Sequence, residues 1–117
     1  MPTATTLGSA GKAVTFNYNG NVQNGVIIQY DYANVTVAQA FLSRILTTFG
    51  KRTILGGFSE TKPTPNGFGE WVRDNSKQYN NSRQLTPRHA SRIAAIFVAE
   101  GYATSARDGN TVIIKFT

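Results

Sequence analysis

Between Ala13 and Tyr18 apolar and polar residues alternate, which places Val14, Phe16 and Tyr18 on one face of a strand. Val26 to Tyr32 supplies a returning strand, and Asn19-Gly20 or Asn24-Gly25 can make the hairpin turn between them. The period then changes. Thr36 stands as a hydroxyl cap before Val37, Phe41, Leu42, Ile45, Leu46 and Phe49, a spacing that predicts an amphipathic helix ended by Gly50. Arg52 to Leu55 reads as a short strand entering Gly56-Gly57, and Pro63 and Pro65 keep the following loop out of helix and central strand. Two more helices are predicted, Phe68 to Tyr79 and Pro87 to Glu100, with the polar turn Asn80-Asn81-Ser82 between them. Ile93, Ile96 and Phe97 mark the core side of the second, and Gly101 ends it. Tyr102 to Thr104 and Thr111 to Phe116 close the chain as a hairpin around Asp108-Gly109-Asn110. The order predicts a single α+β domain over 1–117, a small antiparallel sheet packed against two or three helices. Residues 1–11 are expected to form a mobile N-terminal arm.

Composition narrows the classes. The chain has 117 residues, 40% of them apolar and 15% charged, enough for a core of its own without staples. Its net charge is +6, and seven of the twelve basic residues are arginine, a balance that attracts nucleic acid, nucleotides or acidic surfaces. Cysteine is absent, which excludes disulfides, thiolate chemistry and cysteine zinc sites. Met1 to Lys12 lacks the apolar run of a signal peptide, and no stretch approaches the roughly 20 apolar residues that cross a bilayer. A cytoplasmic protein without a membrane partner is expected. There is one histidine, only six acidic residues and no standard carboxylate metal motif, so neither an enzyme nor a bound cofactor or metal is expected.

Chemistry concentrates in Arg83 to Arg92. Thr86 and Pro87 mark a helix start, as N-cap hydroxyl and first helical residue. Arg88 and Arg92 then fall four apart, beside the amides of that start. Like charges at this spacing repel by a few tenths of a kcal/mol, an arrangement that makes sense around an anion. The plainer account is a solvated helix flank, or ion pairs with Glu70 and Asp74. A second cluster is glycine-rich: Gly56-Gly57-Phe58 and Asn66-Gly67-Phe68-Gly69 set bare backbone beside two aromatic rings. Glycine amides approach a phosphate closely and a ring can stack on a base, with Arg52 adding charge. No Walker lysine or dinucleotide-binding pattern is present, and turn chemistry with Phe58 and Phe68 in the core explains the same residues. Trp71 is a core anchor or a binding platform, and His89 packs or hydrogen-bonds. Glu70 and Asp74 complement a helix dipole more readily than they form a metal or acid/base pair. Tyr18, Tyr30 and Tyr32 form an exposed aromatic strip or serve as ordinary strand residues.

Three functions compete: a binder of a phosphorylated, nucleotide-like small molecule; a winged-helix-like DNA- or RNA-binding module reading with Pro87 to Glu100; and a protein-binding inhibitor. Gly56-Gly57-Phe58, Pro63 to Val72 and Leu85 to Ser91 resemble stretches of small phage-encoded proteins. The overall plan is similar to that of the Thoeris anti-defence sponge proteins. That resemblance implies a homo-oligomer that sequesters cyclic ADP-ribose-type or related cyclic nucleotide immune signals in the host cytoplasm without cleaving them. It further implies phosphate contacts from Arg88 and Arg92, a base stacked on Phe68 or Trp71, and a hydrogen bond from Asn75 to a ribose or base edge. With Gly67, Gly69 and Arg52, these are the expected ligand-binding residues.

Overall fold

Phe16 and Tyr18 project from one side of strand β2 (Thr15–Asn21), and both are buried, while Thr15, Asn17 and Asn19 are exposed. The computed structural model describes residues 2–6, 14–59, 61–108 and 111–117. Strand β3 (Gly25–Gln29) returns antiparallel to β2, with Asn21 opposite Gly25, so Asn24-Gly25 is the dipeptide at the turn. Asn19-Gly20 lies inside the ladder. A Cβ on Gly20 would sit 2.2 Å from the Gly25 carbonyl oxygen, and φ is +87°, so that position requires glycine. Val14, expected on the buried face, is 49% exposed.

Two strands complete this sheet, in the order β1-β2-β3-β4. Strand β1 (Thr3–Thr5) pairs with β2, Ala4 opposite Phe16, which corrects the expectation of a mobile arm for those residues; 7–11 lie outside the described residues. Strand β4 (Asn34–Val37) pairs with β3, and Val35 and Val37 point inward. Thr36 is therefore an exposed strand residue and not a helix cap. Helix α1 (Gln39–Phe49) begins after Ala38, which makes no side-chain cap bond. The four-residue spacing from Val37 to Phe41 imitated helical continuity, but two β-branched valines on one face suit a half-buried strand better.

The second sheet has the order β5-β7-β6, from β5 (Thr53–Leu55), β6 (Ala103–Asp108) and β7 (Thr111–Phe116). The α+β class predicted from the periodicity holds, with two antiparallel sheets in place of one and three helices. Helix α2 (Phe68–Tyr79) matches its predicted span, and α3 (Pro87–Ala99) differs by one residue at its end. Helix α3 lies against α2, β1 and β6, and so bridges the sheets. Five consecutive residues, Ile93 to Phe97, are buried, which a helix achieves only with neighbours around most of its circumference. Phe116 of β7 is an aromatic hub, its ring centroid 5.5 Å from Phe97, 5.8 Å from Phe49 and 6.1 Å from Phe68.

Buried polar groups tie the connections. Asn80 Oδ1 accepts the Ala38 N–H at 2.6 Å, and Nδ2 donates to the carbonyls of Thr36 at 3.2 Å and Arg83 at 3.5 Å. One side chain thus joins the β4–α1 and α2–α3 connections. Beyond α3, Glu100 accepts the Tyr18 hydroxyl at 2.7 Å and the Val22 N–H at 2.9 Å, clamping the first hairpin. Burial, reinforced by Glu100, holds the Tyr18 phenol protonated well above its ordinary range. Replacing Asn80 by alanine removes its bonds to a part-buried amide and two carbonyls. Asn80→Ala should lower unfolding free energy by about 2–4 kcal/mol in a urea titration, several partnerless groups each costing about 1–3 kcal/mol; a loss under about 1 kcal/mol would show that water replaces the side chain.

Candidate functional site

Helix α3 starts as its sequence predicts. Thr86 caps it, its Oγ1 accepting the His89 N–H at 3.3 Å, and His89 Nδ1 accepts the Thr86 N–H at 3.1 Å. The pair forms a reciprocal capping box in which histidine stands where glutamate is usual. Pro87 carries no N–H, and the Ala90 N–H bonds the Thr86 carbonyl at 3.2 Å. The start of the helix is thus satisfied largely from within, which corrects the expectation that open amides hold an anion there. Charge from side chains remains.

Those side chains meet the end of β3. A cleft of about 350 Å³ is lined by Arg88, Ser91 and Arg92 of α3 and by Tyr30, Asp31 and Tyr32. A smaller pocket of about 240 Å³ adjoins it, sharing Tyr30, Asp31 and Arg92 and adding Asn17 and Gln29. Arg88 is exposed, whereas Arg92 is half-buried and held from three sides. Its Nη1 donates to the Gln29 carbonyl at 2.8 Å, and Cζ lies 4.0 Å from the Tyr30 ring centroid and 4.9 Å from that of Phe16. Each cation–π contact contributes about 0.5–2 kcal/mol. They orient the guanidinium without neutralising it. Among the described residues the one ion pair joins Arg73 to Asp74, so neither Arg88 nor Arg92 pairs with Glu70 or Asp74 as the plainer account supposed.

The tyrosines supply the rest. Tyr32 is 72% exposed, its ring centroid 5.7 Å from that of Tyr30. Tyr30 also meets the His89 ring edge-on at 5.6 Å. Its hydroxyl is buried and is the single buried side-chain polar atom without a hydrogen-bond partner among the described residues. Burial pushes the phenol up to about 12 against the pull of Arg92 and, less, of Arg88. At neutral pH it is a protonated donor beside two arginines.

The other expected ligand residues do not join this cleft. Arg52, Trp71 and Asn75 line a separate one, of about 610 Å³, which shares no lining residue with the first. Phe68 has no exposed surface and packs on Phe49 and Phe116, so it cannot stack on a base. Gly67 and Gly69 are buried, and their amides bond the carbonyls of Thr64 at 2.9 Å and Gly56 at 2.8 Å. A Cβ on Gly69 would lie 2.1 Å from the Gly57 carbonyl oxygen. These glycines let two backbone segments cross, and the phosphate-cradle reading of 56–69 is corrected accordingly. Asp31 and Ser91 enter the cleft without having been singled out for it. The run Tyr30-Asp31-Tyr32, a carboxylate between two aromatics at a strand end, was the available signal.

Comparison with known protein families, curated proteins and solved structures finds no match for this chain. Among the described residues no group of three or more metal-ligating side chains forms, and no helix is long and apolar enough to cross a membrane.

Two substitutions test this geometry. Gly69→Ala should destabilise the fold by about 1–3 kcal/mol through overpacking, read by thermal or denaturant unfolding; a neutral result would contradict the backbone crossing. Tyr30→Phe removes a hydroxyl that bonds nothing in the protein, so stability should stay within about 0.5 kcal/mol or rise, whereas a loss above 1 kcal/mol would reveal a partner for it. The same variant should flatten the alkaline limb: Tyr30 ionises in the unfolded chain near pH 10 but resists until about 12 when folded, so its contribution to stability is complete below about pH 10 and is lost as pH rises through about 12.

Proposed function

We propose that this protein binds and sequesters a phosphorylated, nucleotide-type small molecule at the cleft between α3 and the end of β3, without turning it over. The observation that carries the reading is Arg92: a half-buried cation held by a carbonyl and two aromatic faces, with no carboxylate paired to it among the described residues. A guanidinium so placed keeps N–H donors for an anion, and arginine suits the paired oxygens of a phosphate. Arg88 supplies a second charge at the rim, Ser91 a hydroxyl, and Tyr32 an exposed ring for a base or other planar group. Arg88 and Arg92 keep their expected role in this proposal, and Tyr32 takes the stacking role first given to Phe68 or Trp71. Cyclic ADP-ribose and cyclic oligonucleotides, the signals implied by the resemblance to anti-defence sponges, combine phosphates with stackable bases, and binding by a homo-oligomer in the cytoplasm of an infected cell belongs to the same proposal.

The winged-helix alternative has less support. Burial of Ile93 to Phe97 leaves only the first turns of α3 and its last residues facing outward, with no continuous face to lie along a major groove. Calorimetric titration with inorganic phosphate, ADP-ribose, cyclic ADP-ribose and a cyclic dinucleotide tests the proposal. At least one nucleotide should bind, more tightly than phosphate, and be recovered intact. Arg88→Ala should weaken that binding roughly ten- to hundred-fold with little change in melting temperature, since a charge-assisted phosphate contact is worth about 1.5–3 kcal/mol. Arg92→Ala should weaken binding at least as much and also cost stability. Absence of binding across the panel, or affinities indifferent to both substitutions, would refute the assignment.

A further inference from the structure

Two polar groups at the α3 cleft make no bond within the fold. The first is the Tyr30 hydroxyl, buried and without a hydrogen-bond partner among the described residues. The second is the Asp31 carboxylate, which lines both adjoining pockets and enters no ion pair. One turn positions them. The Tyr30 N–H bonds the Ala33 carbonyl at 2.9 Å and Gln29 lies opposite Asn34, so Asp31 and Tyr32 form the tip of a tight hairpin between β3 and β4. A partnerless buried hydroxyl weakens a fold, so stability gives no reason for one here. Arg88 and Tyr32, both exposed, act on the phenol electrostatically and so stand close to it. Either side chain can swing aside and let a ligand oxygen reach the hydroxyl.

Asp31 needs its own account. Aspartate is common in turns because its carboxylate bonds nearby backbone, but Asp31 makes no such bond among the described residues. Nor does it neutralise the arginines, since it pairs with neither. A cleft serving phosphate alone would exclude a carboxylate, because like charges repel. Its ligand therefore brings hydrogen-bond donors as well as an anion. The vicinal hydroxyls of a ribose suit the two acceptor oxygens of a carboxylate, a pairing that acidic side chains make in other nucleotide sites. Apolar surface gathers at the same place. Among the described residues the exposed large apolar side chains are Val14, Ile27, Tyr32 and Leu55, and both Val14 and Tyr32 line this cleft. A sugar edge and a base would cover them.

Building on the reading of this cleft as a nucleotide site, we infer that it selects ribonucleotides over deoxyribonucleotides: the Tyr30 hydroxyl donates to the phosphate that Arg92 holds, and the Asp31 carboxylate accepts from the ribose hydroxyls. Tyr30 positions the phosphate and Asp31 determines the sugar. Calorimetric or NMR titration with AMP and 2′-deoxy-AMP tests this. AMP should bind about tenfold more tightly, the scale of one charge-assisted hydrogen bond. Asp31→Ala should bring the two affinities together. Tyr30→Phe should weaken both nucleotides by about tenfold, keep the preference for AMP and leave the melting temperature unchanged or raised. A merely structural hydroxyl would move the melting temperature and not the affinities. Equal affinity of the unaltered protein for the two nucleotides, or a preference that survives Asp31→Ala, overturns the sugar assignment and leaves the phosphate site standing. Unchanged affinities in Tyr30→Phe overturn the role of the hydroxyl. If neither nucleotide binds at millimolar concentration the inference falls, and ADP-ribose and the cyclic nucleotides decide separately whether the phosphate reading falls with it.

Discussion

Everything at the α3 cleft depends on how one half-buried guanidinium is held. Arg92 sits between α3 and the first sheet, its guanidinium stacked against Tyr30 and Phe16 and tethered to the Gln29 carbonyl. Removing a charged group from water is costly unless something compensates. Aromatic faces and one carbonyl offset part of that cost, and they do so while leaving the charge in place. A carboxylate would have offset more, at the price of the positive field. Asp31 lines the same cleft but forms no ion pair with Arg92.

The fold makes that position possible because α3 is a bridging helix. Its middle is buried among α2, β1 and β6, so only its capped first turns and its end reach the surface. The end is clamped by Glu100 to the first hairpin, and the start is closed by the Thr86–His89 box. Between these fixed points the Arg88–Ser91–Arg92 edge faces Tyr30 and Tyr32 across the end of β3. The aromatic hub at Phe116 fixes α1 and α2 through Phe49 and Phe68, and the second cleft opens beside it. Two separate clefts thus flank one core.

Local chemistry was readable where one residue decides an outcome. Thr86-Pro87 placed the start of α3, and the polar turn Asn80-Asn81-Ser82 marked the end of α2. Readability failed where one pattern serves two structures. Val37 and Phe41 share a helical interval, yet Val37 belongs to a strand because Val35 supplies its partner on the same face. The glycines around Phe68 look alike whether they cradle a phosphate or let backbone cross backbone, and only the 2.1 Å approach to the Gly57 oxygen distinguishes these. Grouping was the hardest part. Arg52, Trp71 and Asn75 carry the same chemistry as the residues of α3, but which residues share a cleft is set by tertiary packing, and no local period encodes it.

The decisive measurement is an NMR titration that follows the side-chain Nε–Hε resonance of Arg92 while ADP-ribose is added to the folded protein. The account predicts a saturable shift at Arg92, with Arg88 and the Tyr32 ring moving along the same binding curve. Saturable binding of the nucleotide with Arg92 unmoved would contradict it, because the half-buried guanidinium to which the account gives the phosphate contact would then be idle.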